Sequence, residues 1–170
     1  MKRKKPIDSL AIKQITILLA EDHANVRKYL KSVVEVDGDI TVVGEAKNGC
    51  VAVRLSKSLQ PDVVVMDLAM PLLNGLEATR QIMEISPATR VLILSAHSDP
   101  EYIRQAVKLG ASGYLVKQTS TQFLAQAVRE VCKGKTFFST SIPKHLRDQC
   151  QKMSGKAKLL KRKRLGGKKL

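Results

Sequence analysis

The chain from Val63 to Gly75 reads VVVMDLAMPLLNG. Its four leading apolar residues form an unbroken run, which is typical of a strand buried on both faces of a parallel sheet. Asp67 follows directly, at the strand end where open α/β sheets bind ligands. Pro71 and Asn74 predict that the strand gives way to a loop before a helix. This stretch alone is equally consistent with a reactive Asp67 and with a solvated aspartate or a helix cap.

Short apolar stretches of this kind recur along the chain, and each is followed by apolar residues at the spacing of a helix. The predicted strands are Ile15–Ala20, Ile40–Ala46, Val63–Met66, Arg90–Leu94 and Gly113–Val116. Strands that alternate with helices indicate a parallel sheet with helices on both faces and right-handed crossovers. We therefore predict an α/β fold with a doubly wound, five-stranded parallel sheet in the order 2-1-3-4-5.

Capping residues mark several of the predicted helices. Asp99-Pro100 suits the N-cap and the first position of the fourth helix. Ser120 or Thr121 is predicted to cap the fifth helix, whose inward residues are Leu124, Ala127, Val128 and Val131. A weaker helical pattern begins near Pro143, with the inward residues Leu146, Cys150 and Met153.

Positive charge is concentrated at the two ends of the 170-residue chain, whose formal net charge is +15. Residues 144–170 contain eleven Lys and Arg against one Asp, whereas residues 6–143 contain fifteen basic and fourteen acidic residues. The high pI therefore describes the ends and not the body. The predicted segments are a basic N-terminal extension at 1–12, a globular domain at 13–133, and a linker with a basic tail at 134–170.

Several classes of protein are disfavoured by the composition. Cys50, Cys132 and Cys150 are odd in number and lack CxxC spacing, so we expect reduced thiols on helices and no metal site or disulfide framework. The basic start resembles a signal peptide, but the apolar run Ile15–Ala20 is shorter than the roughly 7–15 residues that a secretory segment needs. No apolar run approaches the roughly 20 residues of a membrane helix. We expect a soluble cytoplasmic protein with no membrane partner.

Five polar residues stand at the ends of the predicted strands: Glu21, Asp22, Asp67, Ser95 and Lys117. The topological switch lies between the first and third strands, so the three carboxylates should converge there. Clustered carboxylates gain by binding a cation, and oxygen-only ligands favour Mg²⁺ or Mn²⁺ over zinc. A hydroxyl and an ammonium beside such a cluster suit a phosphoryl group, with Asp67 as the nucleophile. No GxxxxGK[ST] motif occurs, which argues against ATP as the direct donor.

The central stretch, together with ED at 21–22, LSAH at 94–97 and GYLVK at 113–117, resembles the receiver domain of bacterial response regulators. The resemblance covers roughly residues 13–133 and implies a flavodoxin-like (CheY-like) receiver fold. EAKNG, SAH and LGASGYLVK further resemble the NarL/FixJ group, whose output is a DNA-binding helix-turn-helix.

The resemblance implies a role for each residue of the site. Asp67 would accept phosphate from a sensor histidine kinase and form an aspartyl phosphate. Asp22, Asp67 and the carbonyl of Ala69 would bind Mg²⁺ directly, and Glu21 would bind it through water. The protein would be a phosphoacceptor that catalyses only its own phosphotransfer and dephosphorylation, and not an enzyme with a separate substrate.

The resemblance also implies a switch. Ser95 and Lys117 would contact the phosphoryl group, and Tyr114 would be an aromatic switch whose position follows Ser95. We predict that this movement changes the face made by the fourth helix and fifth strand. The changed face would support a phosphorylation-dependent homodimer.

Two features depart from the family pattern. Gln118 follows Lys117 where many members have proline, so Lys117 must be positioned in another way. Only 27 residues follow Pro143, too few for a helix-turn-helix. We expect the chain to be the front part of a longer, DNA-binding transcription regulator, and a single-domain regulator with a basic tail is the alternative.

The sequence leaves two alternatives to the response-regulator function. A phosphate-independent module could hold nucleic acid weakly through its basic tail. A phosphohydrolase would require a second catalytic acid two residues after Asp67. That position is Ala69, which argues against this function.

Overall fold

The computed structural model describes residues 13–166, excepting the side chains of residues 161 and 164–166. The basic extension predicted at 1–12 lies outside the described residues. The strands are β1 (Ile15–Ala20), β2 (Ile40–Ala46), β3 (Val63–Met66), β4 (Arg90–Ser95), β5 (Gly113–Val116) and β6 (Phe137–Phe138). The helices are α1 (Ala24–Val34), α2 (Gly49–Leu59), α3 (Gly75–Ile85), α4 (Pro100–Lys108), α5 (Lys117–Ser120), α6 (Leu124–Cys132) and α7 (Lys144–Gly166).

All six strands form one parallel sheet in the order β2-β1-β3-β4-β5-β6. This order confirms the doubly wound prediction, but the predicted number of five strands is wrong. The missed strand β6 contains only two residues, which is too short for a periodic pattern, and it pairs with Gly113 and Tyr114. A Cβ on Gly113 would lie 2.3 Å from the carbonyl oxygen of Phe137, so the absent side chain allows β6 to approach β5.

The sheet is covered on both faces. Helices α1 and α6 pack on one face, and α2, α3, α4 and α7 pack on the other. Every residue of β3 is buried, as the unbroken apolar run predicts. Burial on both faces makes this strand a rigid support for the residue that follows it, Asp67.

The segment predicted as linker and tail contains regular structure instead. After β6, the 23-residue helix α7 packs along α4. Ile142, Leu146 and Cys150 are 2%, 1% and 0% exposed and belong to the same core cluster as Tyr114. The predicted inward face of this helix is therefore confirmed, and the globular body extends beyond residue 133.

The start of the fifth predicted helix differs from the expectation. Helix α5 and a 3₁₀ turn over Thr121–Phe123 precede α6, which has no side-chain cap. Ser120 does not cap it, because its hydroxyl is engaged by Ser139. The Asp99-Pro100 start of α4 is confirmed, since Asp99 accepts a hydrogen bond from the amide of Glu101 at 2.7 Å.

The composition led to predictions about membrane helices and about the cysteines, and both concern the described part of the chain. None of its helices is long and apolar enough to cross a membrane. Cys50, Cys132 and Cys150 are free thiols and lie on α2, α6 and α7.

Candidate functional site

The carboxyl ends of β1, β3 and β5 bring two carboxylates and one lysine together. The side chains of Glu21 and Asp67 are 2% and 4% exposed, and that of Lys117 is 22% exposed. The Nζ atom of Lys117 lies 2.6 Å from Oε2 of Glu21 and 3.0 Å from Oδ2 of Asp67. One ammonium thus bridges two buried carboxylates.

Backbone hydrogen bonds fix both carboxylates at the sheet edge. The amide of Asp67 donates to the carbonyl of Ala20, and that of Glu21 donates to Ala46, both at 2.9 Å. The sheet ladder therefore continues one residue beyond each strand. These residues sit on a rigid edge, as residues that position a reacting group must.

The charges at this edge stabilise one another. Burial is the largest single effect and raises the pKa of Glu21, but the hydrogen bonds from Lys117 and His23 and the charge of Lys117 together leave the pKa lowered. Burial lowers the pKa of Lys117, but the hydrogen bond to Glu21 and the charge of Asp67 leave it raised. The ammonium is thus held protonated beside Asp67.

Asp22 and His23 extend the acidic edge outward. Among the described residues, one group of His, Cys, Asp and Glu side chains has ligand atoms within 4.8 Å of one another, namely Glu21, Asp22 and His23. His23 Nδ1 lies 3.1 Å from Glu21 Oε1 and 2.9 Å from Asp22 Oδ1. The hydrogen bond with Glu21 is the largest cause that raises the pKa of His23.

Oδ1 of Asp22 is buried and makes no hydrogen bond within the described part of the chain, although Nδ1 of the exposed His23 lies 2.9 Å away as an ion-pair contact. A carboxylate oxygen in this setting is suited to a cation. Asp67 lies outside the group of close ligand atoms and reaches it through Lys117. Lys117 thus lies between Glu21 and Asp67, and His23 lies between Glu21 and Asp22.

The loop after β3 packs closely against Asp67. Asn74 caps α3 by accepting a hydrogen bond from the amide of Glu77 at 2.9 Å. A Cβ on Gly75 would lie 2.0 Å from the carbonyl oxygen of Asp67, so glycine is required there. The amide of Ala69 points to Oδ1 of Asp67 at 3.4 Å, and Ala69 is exposed. The role of its carbonyl as a metal ligand stays a prediction.

Ser95 is the last residue of β4, and Tyr114 lies inside the neighbouring strand β5, where it pairs with Ile93. Both are 0% exposed. The hydroxyl of Ser95 accepts the amide of His97 at 3.1 Å, and the hydroxyl of Tyr114 donates to the carbonyl of His97 at 2.7 Å. Burial is the main cause that raises the pKa of Tyr114 to about 12. Tyr114 is therefore inward in this structure, and its movement on phosphorylation stays a prediction.

The sequence favoured a solvated loop position for His23 over a place at the pocket rim, and it gave no indication of Ser139. His23 contacts both acidic residues, although loop histidines are usually solvated, and its position directly after Asp22 was the available signal. The hydroxyl of Ser139 reaches the end of β5, next to Lys117. No local pattern marks Ser139, because its contact depends on the pairing of β6 with β5.

Fold and site together define a doubly wound α/β protein with a carboxylate and lysine pocket at the topological switch point. Residues 17–129 match the family model described as the response regulator receiver domain. The chain therefore belongs to this family, as the receiver domain of a NarL-like two-component response regulator. Proteins of this family act in signalling and are not classical enzymes.

Its relatives are named as transcriptional regulatory proteins or as response regulators. Transcriptional regulatory protein YdfI of Bacillus subtilis (strain 168) is 39% identical over 132 residues, which are 78% of this chain and 62% of that protein. Nitrate/nitrite response regulator protein NarL of Escherichia coli (strain K12) is 38% identical over 127 residues, 75% of this chain and 59% of that protein. The chain thus spans about three-fifths of the length of these relatives.

A solved structure matches more of the chain. The crystal structure of a LuxR-family two-component response regulator from Aurantimonas sp. SI85-9A1 has a TM-score of 0.76 and 34% sequence identity. The match covers 80% of this chain and 97% of that one.

Proposed function

We propose that Asp67 accepts a phosphoryl group from a sensor histidine kinase in the cytoplasm. The observation that carries this proposal is the buried carboxylate of Asp67 with the Lys117 ammonium 3.0 Å from its Oδ2. A carboxylate on a rigid strand end can attack phosphorus, and a fixed cation beside it stabilises charge on the transferring group.

Each group around Asp67 has a separate role in the phosphoryl transfer. An oxygen of Asp67 forms the new bond to phosphorus while the bond to the donor atom breaks. Lys117 neutralises charge on the phosphoryl oxygens, and the buried hydroxyl of Ser95 turns from its partner to donate a hydrogen bond to one of them. Attack of water on phosphorus then breaks the bond between Asp67 and phosphorus, which releases inorganic phosphate and returns the carboxylate.

The acidic edge fits a hard divalent cation. The carboxylates offer oxygen donors, and the buried Oδ1 of Asp22 makes no hydrogen bond and has only the His23 ring beside it, at 2.9 Å. Asp22, Asp67 and the carbonyl of Ala69 would hold Mg²⁺ directly, and Glu21 through water. When bound, Mg²⁺ shields the negative charge of the carboxylates and phosphoryl oxygens. Loss of Mg²⁺ affinity in Asp22→Ala, measured by titration calorimetry against Glu45→Ala, checks this ligand set.

The first prediction concerns the modified residue. Incubation with acetyl phosphate and Mg²⁺ should add one phosphoryl group, released by hydroxylamine, because acyl phosphates react with that nucleophile. Mass spectrometry of peptides should locate it at Asp67. Omission of Mg²⁺ is the control, and it should suppress the labelling. Absence of the label, or its location at another carboxylate such as Asp22, would refute the proposal.

Because relatives such as YdfI are named as transcriptional regulatory proteins, we propose that the protein that carries this domain controls transcription by binding DNA. Phosphorylation of Asp67 would draw Ser95 toward the phosphoryl group and alter the surroundings of Tyr114 and the α4–β5 face.

The second prediction concerns a homodimer. Beryllofluoride, which imitates the phosphoryl group, should raise the association constant measured by sedimentation at several concentrations. Helix α7 packs on α4 in this structure, so a dimer that uses the α4–β5 face requires α7 to leave it. Hydrogen exchange of the α7 amides should then become faster. Equal association constants with and without beryllofluoride would contradict the coupling.

One observation favours the alternative of a nucleic-acid-binding module. Lys152, Lys156 and Lys163 are exposed and lie within about 40° of one another around the axis of α7, away from the buried Leu146 and Cys150. Such a row can contact phosphates, and its binding would weaken as salt increases. DNA binding of equal strength with and without beryllofluoride distinguishes this alternative from the switch.

A further inference from the structure

Lys117 is held without the proline that often follows this lysine in similar domains. Gln118 occupies that position, and no peptide bond in the described residues is cis. The side chain of Lys117 nevertheless reaches both Glu21 and Asp67. Some other contact must fix the backbone at the point where β5 turns into α5.

The backbone amide of Val116 identifies that contact. Strand β6 pairs with Gly113 and Tyr114 and then ends, so it offers no strand carbonyl to Val116. The hydroxyl of Ser139, the residue after β6, accepts the Val116 amide at 2.8 Å. A buried amide without an acceptor is unfavourable, so this hydroxyl completes the ladder where the strand stops.

The same hydroxyl also holds the far side of Lys117. Oγ of Ser139 lies 2.6 Å from Oγ of Ser120, the last residue of α5. Ser120 and Ser139 are 3% and 2% exposed, so water does not compete for this contact. Ser139 thus contacts the residue before Lys117 and the residue three positions after it.

We propose that Ser139 is a positioning residue that holds Lys117 in place for phosphoryl transfer at Asp67. This proposal rests on the proposed function of Asp67. The Lys117 ammonium works only if it stays between Glu21 and Asp67, and a displacement of about 1 Å in a positioning group can cost about 100-fold in rate.

The backbone of Ser139 also makes hydrogen bonds on both sides, toward β5 and toward α7. Its amide donates to the carbonyl of Tyr114 at 3.0 Å, and its carbonyl accepts the amide of Ile142 at 3.0 Å. Ile142 is buried just before α7. Ser139 therefore links the residues on either side of Lys117, through hydrogen bonds, to the segment of chain that leads into α7.

The test compares hydroxyl variants in the full chain. Ser139→Ala should slow phosphorylation of Asp67 by acetyl phosphate about tenfold, a typical effect of removing a supporting hydrogen bond. Mg²⁺ affinity should not fall, because the acidic side chains are unchanged. Ser139→Thr, which keeps the hydroxyl, should recover most of the rate. A merely structural role would lower both quantities together.

Ser86→Ala is the matched control. Ser86 is 0% exposed and its hydroxyl donates to the carbonyl of Ser56, but it follows α3 at the opposite edge of the sheet. It should lose stability without a change in phosphorylation rate. If Ser139→Ala does not fold, Ser120→Ala, which leaves the Val116 contact intact, should show the same selective slowing to a smaller extent.

A double-mutant cycle with Lys117→Met decides whether Ser139 acts through Lys117. In the Lys117→Met background, Ser139→Ala should change the rate by less than about twofold. Equal slowing in both backgrounds, or an unchanged rate in Ser139→Ala and Ser120→Ala, would overturn the proposal. If the unaltered protein itself takes no phosphoryl group at Asp67, the proposed function fails instead.

Discussion

Replacing Lys117 by methionine is expected to slow phosphorylation of Asp67 by about 10²–10³-fold, the cost of removing one preorganised donor from a developing charge. The ammonium of Lys117 lies 3.0 Å from Oδ2 of Asp67 and 2.6 Å from Oε2 of Glu21. Methionine keeps much of the length of the side chain, so the change removes charge more than packing. Rates with acetyl phosphate at fixed Mg²⁺ measure the effect.

The same substitution should slow phosphorylation but strengthen the binding of Mg²⁺. Without the ammonium, the buried carboxylates of Glu21 and Asp67 repel each other, and a divalent cation relieves that repulsion. We therefore expect lower stability without Mg²⁺, and a melting temperature that rises more steeply with Mg²⁺ than in the unaltered protein. Such a pattern is not produced by general loss of folding.

Lys133→Met is the control for the loss of one positive charge. Lys133 is exposed and pairs with Glu130 at 3.1 Å, on the helix α6 side of the molecule. Its replacement should leave the phosphorylation rate and the Mg²⁺ dependence unchanged. If Lys117→Met is phosphorylated at the rate of Lys133→Met, Lys117 has no part in the transfer.

Replacing Gly75 by alanine is expected to reduce the free energy of unfolding by about 3 kcal/mol or more, at the upper end of the effects of overpacking. The added Cβ would lie 2.0 Å from the carbonyl oxygen and 2.8 Å from the carbonyl carbon of Asp67. These are backbone atoms, so no side chain can rotate away to make room. Relief requires movement of the loop after β3 or of α3.

Gly155→Ala provides a matched comparison on α7. A Cβ at Gly155 meets no atom within 4 Å, so alanine should stabilise the helix by about 0.5–1 kcal/mol. Urea denaturation of both variants and the unaltered protein gives the free energies of unfolding. Equal stability of Gly75→Ala and the unaltered protein would show that this loop is loosely packed.

The Gly75 variant also tests the link between packing and chemistry. Because the obstructed atom belongs to the backbone of Asp67, any folded Gly75→Ala protein should hold the carboxylate out of place. Phosphorylation by acetyl phosphate should then fall even at temperatures well below the unfolding transition. The Gly155 variant should be phosphorylated normally.

Local pattern in the sequence determined the elements of the receiver fold and the order of five of its six strands. The apolar run of β3 requires burial on both faces, and the alternation of strands with helices leaves few topologies. These rules also place Glu21, Asp67 and Lys117 at one edge, because the carboxyl ends of parallel strands meet there.

Only the tertiary structure decided which of these groups contact one another. The bridge of Lys117 between Glu21 and Asp67 depends on side-chain direction at three strand ends, which no spacing in the sequence encodes. Pairing of β6 with β5 brings Ser139 to the end of β5, and it joins residues too far apart for periodicity to connect.

In the C-terminal segment, too, the sequence determined one part of the structure and the tertiary packing decided another. Its charge predicted a solvated tail, and its weak apolar pattern predicted a helix with Leu146, Cys150 and Met153 inward. Whether such a helix packs depends on an available surface, and α4 together with Tyr114 supplies it. The sequence determined which face of α7 could be buried. The apolar surface beside β5 decided where that face packs. Burial needs a partner surface, and this one is distant in the chain.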